Sequence, residues 1–364
     1  MPPPRNRRSP NPRQPPSDLN GVLPVVKPAG PTSHDVVEVA RRVLGQRQIG
    51  HTGTLDPAAS GVLVLCLGPY TKLVPFLVEC DKTYEGWIGL GLETTTDDSE
   101  GSPTLVANAD EATPERIRRL AAQFVGDIDQ MPPKYAAVKV AGKKLYEYAR
   151  EGVEIEVPPR PVTVHNFDIG DLEPLASPEA ILARAVGGPH EVSAARHAQH
   201  LKRVAFNTKV SAGTYVRSLA RDLGRALGCG GYLAGLSRTA VGQFDLGMCM
   251  PYETLTGEPQ RVREWLLTGA SSLDADRFPV LRLIRGYTDR LLRGQPLHEK
   301  MMENAEEAAK VPSGTAVGIA SDDGLTLYAM MQAESFEQGA QENVYGTRHA
   351  NHFTPLRVFP GGLK

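Results

Sequence analysis

Val62, Leu63, Val64, Leu65, Cys66 and Leu67 form an unbroken apolar run that Gly68 closes. A short run without polar alternation fits a strand covered on both faces, so the fold must place other elements on two sides of it. The loop ahead of the run has glycines at 50, 53 and 61 and one carboxylate, Asp56. Glycine lets such a loop fold tightly, and loops held by a scaffold strand often carry sites. Seen alone, Asp56 could equally cap a backbone N–H in an ordinary turn.

The chain has 364 residues, room for about two domains, and 41% of them are hydrophobic, enough to build real cores. The formal net charge of −2 does not announce a nucleic-acid partner, so the distribution of charge matters more than its sum. Cys66, Cys80, Cys229 and Cys249 lack CxxC spacing, which points to a reducing compartment and no zinc site. No apolar stretch reaches the roughly 18 residues needed to span a bilayer, and no signal-peptide pattern opens the chain. A cytoplasmic protein without a membrane segment is expected.

Residues 1–18 are rich in Pro and Arg and read as a flexible basic tail. A strand is expected at 21–26. A helix capped by Thr32 or Ser33 should follow, with Val36, Val37, Ala40, Val43 and Leu44 on its apolar face and Gly45 at its end. Residues 83–92 alternate as a strand with Tyr84, Gly86, Ile88, Leu90 and Leu92 on one side. Thr113 and Pro114 start a helix with Ile117, Leu120, Ala121 and Phe124 inward. A further helix, capped by Thr214, should bury Val216, Leu219, Ala220 and Leu223 and carry Arg217, Arg221 and Arg225 as a basic stripe. Helices and strands interleave without a regular βαβ repeat, so the class is α+β with a mixed β-sheet. Near 276 the pattern turns to short strands and tight turns, and 315–320 and 325–331 flank the hairpin signal Asp322-Asp323-Gly324. This reading gives a first domain at 19–275 and a small, mostly β domain at 276–364.

Five further segments stand in order with the Asp56 loop. They are Lys27-Pro28-Ala29-Gly30-Pro31-Thr32-Ser33, Lys82-Thr83-Tyr84-Glu85-Gly86, the stretch from Gln130 to Lys139 continued by Gly142 and residues 145–152, Gly213-Thr214-Tyr215-Val216-Arg217 with its helix, and Leu233-Ala234-Gly235-Leu236-Ser237-Arg238. Together they resemble the motifs of the TruB-type tRNA pseudouridine synthases. The resemblance implies an isomerase with a pseudouridine synthase catalytic domain and a PUA-like C-terminal domain. It would act on the T-loop uridine at tRNA position 55. The resemblance makes 19–275 the catalytic domain, in which residues 170–203 are longer than the family pattern and read as a solvated insertion. The match is weaker over the C-terminal domain, and Ala136 stands where the family usually carries serine.

The reaction breaks the bond from ribose C1′ to uracil N1, turns the base and joins C1′ to C5. It calls for no metal, redox cofactor or ATP, and the chain has no P-loop, GxGxxG fingerprint or HExxH helix. With an ordinary pKa of about 3.9, an aspartate is about 99.9% ionised at pH 7, so the surroundings of Asp56 need to orient it rather than deprotonate it. Arg217 is its natural partner. A cation in the first turn of a helix opposes the dipole by about 0.3–1 kcal/mol and calls for an anion.

By resemblance, Asp56 is the nucleophile and Arg217 its ion-pair partner. Tyr84 stacks on the base and takes part in removing the C5 proton, and Leu236 packs on the other side of the base. The target must flip out of its stack, and His51 matches the residue that fills the gap. Lys27 reads as structural or RNA-contacting and Lys72 as a phosphate contact, with Tyr215 and Arg221 among the RNA-binding residues. The sequence leaves open whether Asp56 attacks C1′ or abstracts a ribose proton. His197 and His200 lack partnering ligands for a metal, and Asp97-Asp98 reads as a loop. A stand-alone monomer acting on the tRNA T stem-loop, without an obligatory protein partner, is the expectation. The alternatives are the guide-dependent catalytic subunit of an H/ACA particle and a non-catalytic tRNA-binding or tRNA-folding protein.

Overall fold

The structure, a computed structural model, describes residues 19–136, 157–175, 178–185, 196–337 and 349–364, with positions 139–140, 143–144, 148 and 155 between them. The basic tail at 1–18, most of 137–156, and His190 and Glu191 of the insertion lie outside the described residues.

The first strands are β1 (Gly21–Lys27), β2 (Ile49–His51), β3 (Ser60–Leu67) and β4 (Lys82–Leu90). A small hairpin follows, β5 (Leu92–Thr94) and β6 (Pro103–Val106), and then β7 (Gly126–Gln130), β8 (Arg160–Pro174), β9 (Lys202–Val210), β10 (Gly231–Val241) and β11 (Phe244–Asp245). All but the hairpin form one nine-stranded sheet in the order β1-β3-β10-β4-β9-β8-β7, with β2 joined to β3 and β11 to β10. The sheet is mixed, because β10 runs parallel to β3 at Ser60 and Gly61 and antiparallel to β4.

The apolar run of β3 is covered on both faces, and its alternate residues enter different cores. Leu63, Leu65 and Leu67 pack with Val36, Val37 and Ala40 of helix α1 (Ser33–Val43). Val62, Val64 and Cys66 pack with Tyr70, Leu73 and Leu77 and with residues of the C-terminal sheet. Thr32 caps α1 in a reciprocal box, its Oγ accepting from the Asp35 N–H at 3.0 Å while the Asp35 carboxylate accepts from the Thr32 N–H at 2.9 Å.

Strand β4 stops at Leu90 because Gly91 turns the chain at φ +91°. Its inward side, Tyr84, Ile88 and Leu90, joins a core with Val204 and Phe206 of β9. Ile117 and Ala121 of α2 (Pro114–Ala121) and Val216, Leu219, Ala220 and Leu223 of α3 (Val216–Leu227) complete that core. Helix α3 lacks the expected Thr214 cap. The Thr214 hydroxyl donates to Ser211 O at 2.9 Å, and the Gln130 amide of β7 both accepts from the Tyr215 N–H at 2.7 Å and donates to Tyr215 O at 3.0 Å. The helix is thus anchored by a residue 85 positions away rather than by its own flank.

The second sheet holds β12 (Val280–Arg282), β13 (Leu297–His298), β14 (Ala316–Ala320), β15 (Leu327–Glu337) and β16 (His349–Leu363), in the order β12-β14-β15-β16-β13. Ala320 pairs with Leu327 across the hairpin that carries Asp322, Asp323 and Gly324. Phe278, Leu327, Met330, Phe359 and Leu363 share one core with Val22, Val62 and Val64 of the first sheet. The four cysteines are free and buried, and burial pushes the Cys66 and Cys80 thiols up to about 12.

Candidate active site

Two buried cations and one hydroxyl hold the Asp56 loop. Lys27, at the end of β1, donates to Pro28 O at 3.0 Å, Pro57 O at 3.2 Å and Ala59 O at 2.6 Å. It is fully buried, and its amine faces the carbonyls of the loop. Arg238 of β10 donates to Val62 O at 2.8 Å and Gly53 O at 3.1 Å. The Ser33 hydroxyl accepts from the Leu55 N–H at 2.8 Å and donates to Leu55 O at 3.1 Å, which ties α1 to the residue before Asp56. Gly61 allows β3 to meet β10, since a Cβ there would lie 2.1 Å from Arg238 O.

Asp56 meets Arg217 side-on, with Nε to Oδ2 at 3.1 Å and Nη2 to Oδ1 at 3.4 Å. The arginine side chain is 10% exposed and the aspartate 40%, so the pair is fixed from the protein side and open to a cleft. Arg217 also donates to Thr96 O and Tyr135 O, each at 3.3 Å, and faces Asp98 Oδ2 at 3.4 Å. A fork with several acceptors sets the plane of the carboxylate, which a single point charge would not. Burial raises the Asp56 carboxyl above the ordinary range. Arg217 opposes the rise, Asp98 adds to it and Lys27 opposes it. The environment therefore works against ionisation and Arg217 offsets it, a balance that the sequence did not suggest.

The cleft measures about 600 Å³, within the size range of small-ligand sites, and Asp56, Tyr84, Tyr215, Arg217, Leu233 and Leu236 are among its walls. Tyr84 comes from β4, Leu236 from β10, and Tyr215 from the residue before α3. Burial raises the Tyr215 hydroxyl, and its ring packs on Ala136, the position where a serine was expected. Lys82 also lines the cleft. Burial lowers its amine to about 8, and it donates to Val78 O and Cys80 O.

Other expected residues lie elsewhere. His51 sits at the end of β2, outside the cleft wall, and its Nδ1 accepts from the Gly53 N–H at 3.3 Å. Burial lowers its pKa, which favours the neutral ring. Lys72 lines a separate groove with Phe76, Leu356 and Arg357, where the two sheets approach. Arg221 does not form part of an open basic stripe. It is buried against Asp97 at 2.9 Å and Asp222 at 2.8 Å, and Arg225 pairs with Glu93 at 2.8 Å, so the carboxylates neutralise the stripe. Asp97 and Asp98 lie in a loop, as the sequence reads them, and what the sequence does not show is their pairing with Arg221 and Arg217. The signal available was the need of two buried arginines for anions. His200 bonds to Asp110 at 2.6 Å and so has a partner other than a metal.

An aspartate loop, an arginine helix and a tyrosine strand thus converge on one cleft of a mixed sheet, and the comparisons with known proteins give the class of this fold as the pseudouridine synthases. Residues 41–183 match the TruB family pseudouridylate synthase N-terminal domain, and residues 217–269 match the tRNA pseudouridylate synthase B C-terminal domain. The chain belongs to the TruB family. It is 39% identical over 281 residues to the tRNA pseudouridine synthase B of Azoarcus sp. strain BH72, covering 77% of this chain and 84% of that one. It is 38% identical to the protein of the same description from Ralstonia pickettii strain 12J, covering 82% and 86%. In fold it is similar to a chain of a Cbf5-Nop10-Gar1 complex, with a TM-score of 0.64 at 22% identity over 94% of this chain and 86% of that one. The architecture is the α+β pseudouridine synthase fold followed by a PUA-like β domain.

Proposed function

We propose that this chain converts the uridine at position 55 in the T loop of tRNA to pseudouridine, acting alone on a flipped-out base, with Asp56 working at the ribose. Pseudouridine synthesis on tRNA is the activity of its family, and the enzyme is an isomerase. The side-on pair of Asp56 and Arg217 at the cleft carries the residue-level reading. One bond, C1′ to N1, breaks and one, C1′ to C5, forms. C5 loses a proton and N1 regains one, so atoms and charge balance without an external reactant.

In this reading Arg217 holds the carboxylate ionised and oriented while Tyr84 and Leu236 enclose the base. Tyr84 stands at the base for loss of the C5 proton, and Tyr215 contributes to the cleft wall. His51 and Lys72, away from the cleft, are assigned to RNA outside the target nucleotide, His51 at the vacated stack and Lys72 at phosphate. The 276–364 domain adds RNA-binding surface. The 38–39% relatives named tRNA pseudouridine synthase B favour a stand-alone enzyme over a guide-dependent subunit, and we take it to be a cytoplasmic monomer. Among the described residues no helix is long and apolar enough to cross a membrane.

The test is release of tritium from C5-labelled uridine in an unmodified T stem-loop by the purified chain with no guide RNA. Release is expected. Tight binding without release, restored by a guide RNA, would overturn the stand-alone reading.

A further inference from the structure

Asp97 is the one non-glycine residue with a left-handed backbone among the described residues, at φ +60°. Such a conformation persists where the surroundings over-determine it. Here they do. The Asp97 N–H donates to Thr94 O at 3.3 Å, and its carbonyl accepts from the Leu233 N–H of β10 at 3.0 Å. Its carboxylate meets Arg221 Nη1 at 2.9 Å, with the two side chains 13% and 8% exposed. Arg221 is fixed in turn by Asp222 at 2.8 Å and by Met131 O at 3.1 Å.

The reversed backbone at Asp97 sends the neighbouring carboxylate to a different arginine. Asp98 Oδ1 accepts from the Thr96 hydroxyl and from the Glu100 N–H at 3.0 Å, and Oδ2 faces Arg217 at 3.4 Å. One loop, 94–101, is thereby pinned to α3 at two positions one turn apart, Arg217 and Arg221. The contacts from this loop to Arg217, at 3.3 and 3.4 Å, are long, so a shift of a few tenths of an ångström would loosen them. Arg221 is not among the residues lining the cleft.

We propose that Asp97 and Arg221 are a positioning pair for the reaction, which sets the seat of the 94–101 loop on α3 and so the aim of Arg217 at Asp56. This inference rests on the reading of Asp56 and Arg217 as the reacting pair. Neither Asp97 nor Arg221 lines the cleft, and in this proposal Arg221 takes the positioning role in place of an RNA contact.

The test compares Asp97→Asn, Arg221→Met and Arg221→Lys in the full chain. Asparagine tolerates the left-handed backbone and removes only the charge. For Asp97→Asn and Arg221→Met, kcat should fall about 10- to 100-fold with the KM for tRNA within about twofold. The acid limb of kcat should move to higher pH, because a loosened Arg217 offsets the burial of Asp56 less. The charged groups facing Asp56, namely Arg217 from α3, Asp98 from the loop and Lys27 from β1, are otherwise unchanged. Arg221→Lys should recover much of the loss.

A lower melting temperature with kcat and the acid limb unchanged would overturn the proposal in favour of a purely structural pair. A raised KM with a salt slope reduced by about one, at unchanged kcat, would overturn it in favour of a phosphate contact. If Asp97→Asn does not fold, Asp97→Gly, which suits the same φ, takes its place under the same criteria. Asp56→Asn is assayed alongside. Turnover by that variant would remove the underlying reading of the site, whereas an inactive Asp56→Asn beside an unaffected Asp97→Asn would remove the positioning pair alone.

Discussion

Replacing Arg217 by alanine takes from Asp56 the cation that offsets its burial. The Asp56 carboxyl already sits above the ordinary range for a carboxylate, and Asp98 would then face it with no guanidinium between. Its pKa should rise further, so a larger fraction is protonated at any mildly acidic pH. The acid limb of kcat in Arg217→Ala should therefore start at a higher pH than in wild type, with kcat on the plateau lower by about 10²-fold or more from lost orientation. Arg217→Lys should keep part of the charge and lose the fork, giving a smaller pH shift with a similar loss on the plateau. A pH–rate profile of the three proteins checks this; an unmoved acid limb in Arg217→Ala would contradict it.

At this scale the sequence was informative where motif and geometry coincide. Asp56, Tyr84, Tyr215, Arg217 and Leu236 converge on one cleft although they are spread over 181 positions of the chain. It was uninformative where function depends on which charge faces which. Nothing local told Arg221, with its buried carboxylates, from a phosphate contact, and nothing in Asp97-Asp98 pointed to α3.

Among the elements, β3 is the one on which the rest depend. Its apolar run was legible because both of its faces are covered, one by α1 and the other by the second core. Leu65→Ala should lower stability by about 2–5 kcal/mol, measured by denaturant unfolding, since a fully buried leucine leaves a cavity on removal. Gly61→Ala acts at a seam instead of a core. Its Cβ would meet Arg238 O, and glycine there has φ +109°, so β3 and β10 must separate or the loop must move. A loss of about 1–3 kcal/mol is expected, accompanied by lower activity because Arg238 also holds Gly53 O. Full activity in Gly61→Ala would show that the Asp56 loop does not depend on this seam. The start of α3 differs from what its local sequence predicts. Thr214 has the right chemistry for a cap, but the amide that anchors the helix comes from Gln130, and sheet contacts at that distance leave no trace in local sequence.

In the molecule as a whole, the two sheets share a core. Phe278, Leu327, Met330, Phe359 and Leu363 pack with Val22, Val62, Val64 and Tyr70, so removing the second sheet would expose the face of β3 that it covers. The change of pattern near 276 was visible in the sequence as a shift to short strands and turns. The packing across it was not, because the apolar run of β3 calls for a cover on both faces without showing which distant segment supplies it. Thermal unfolding of the full chain should be a single cooperative transition followed alike by far-UV and near-UV signals. A chain ending at 275 should bind a dye for exposed apolar surface and lose solubility. Two separated transitions, or a well-behaved truncated chain, would show that the sheets are energetically independent.

In the proposed function, a cleft built around the Asp56 and Arg217 pair isomerises one tRNA uridine unaided. Mapping pseudouridine on an unmodified tRNA transcript after incubation with the purified chain, beside Asp56→Asn, tests it most directly. One new pseudouridine is expected, in the T loop at position 55, and none with a variant that still binds the transcript. Pseudouridine formed by Asp56→Asn, or wild type that binds tightly yet modifies nothing, would contradict it.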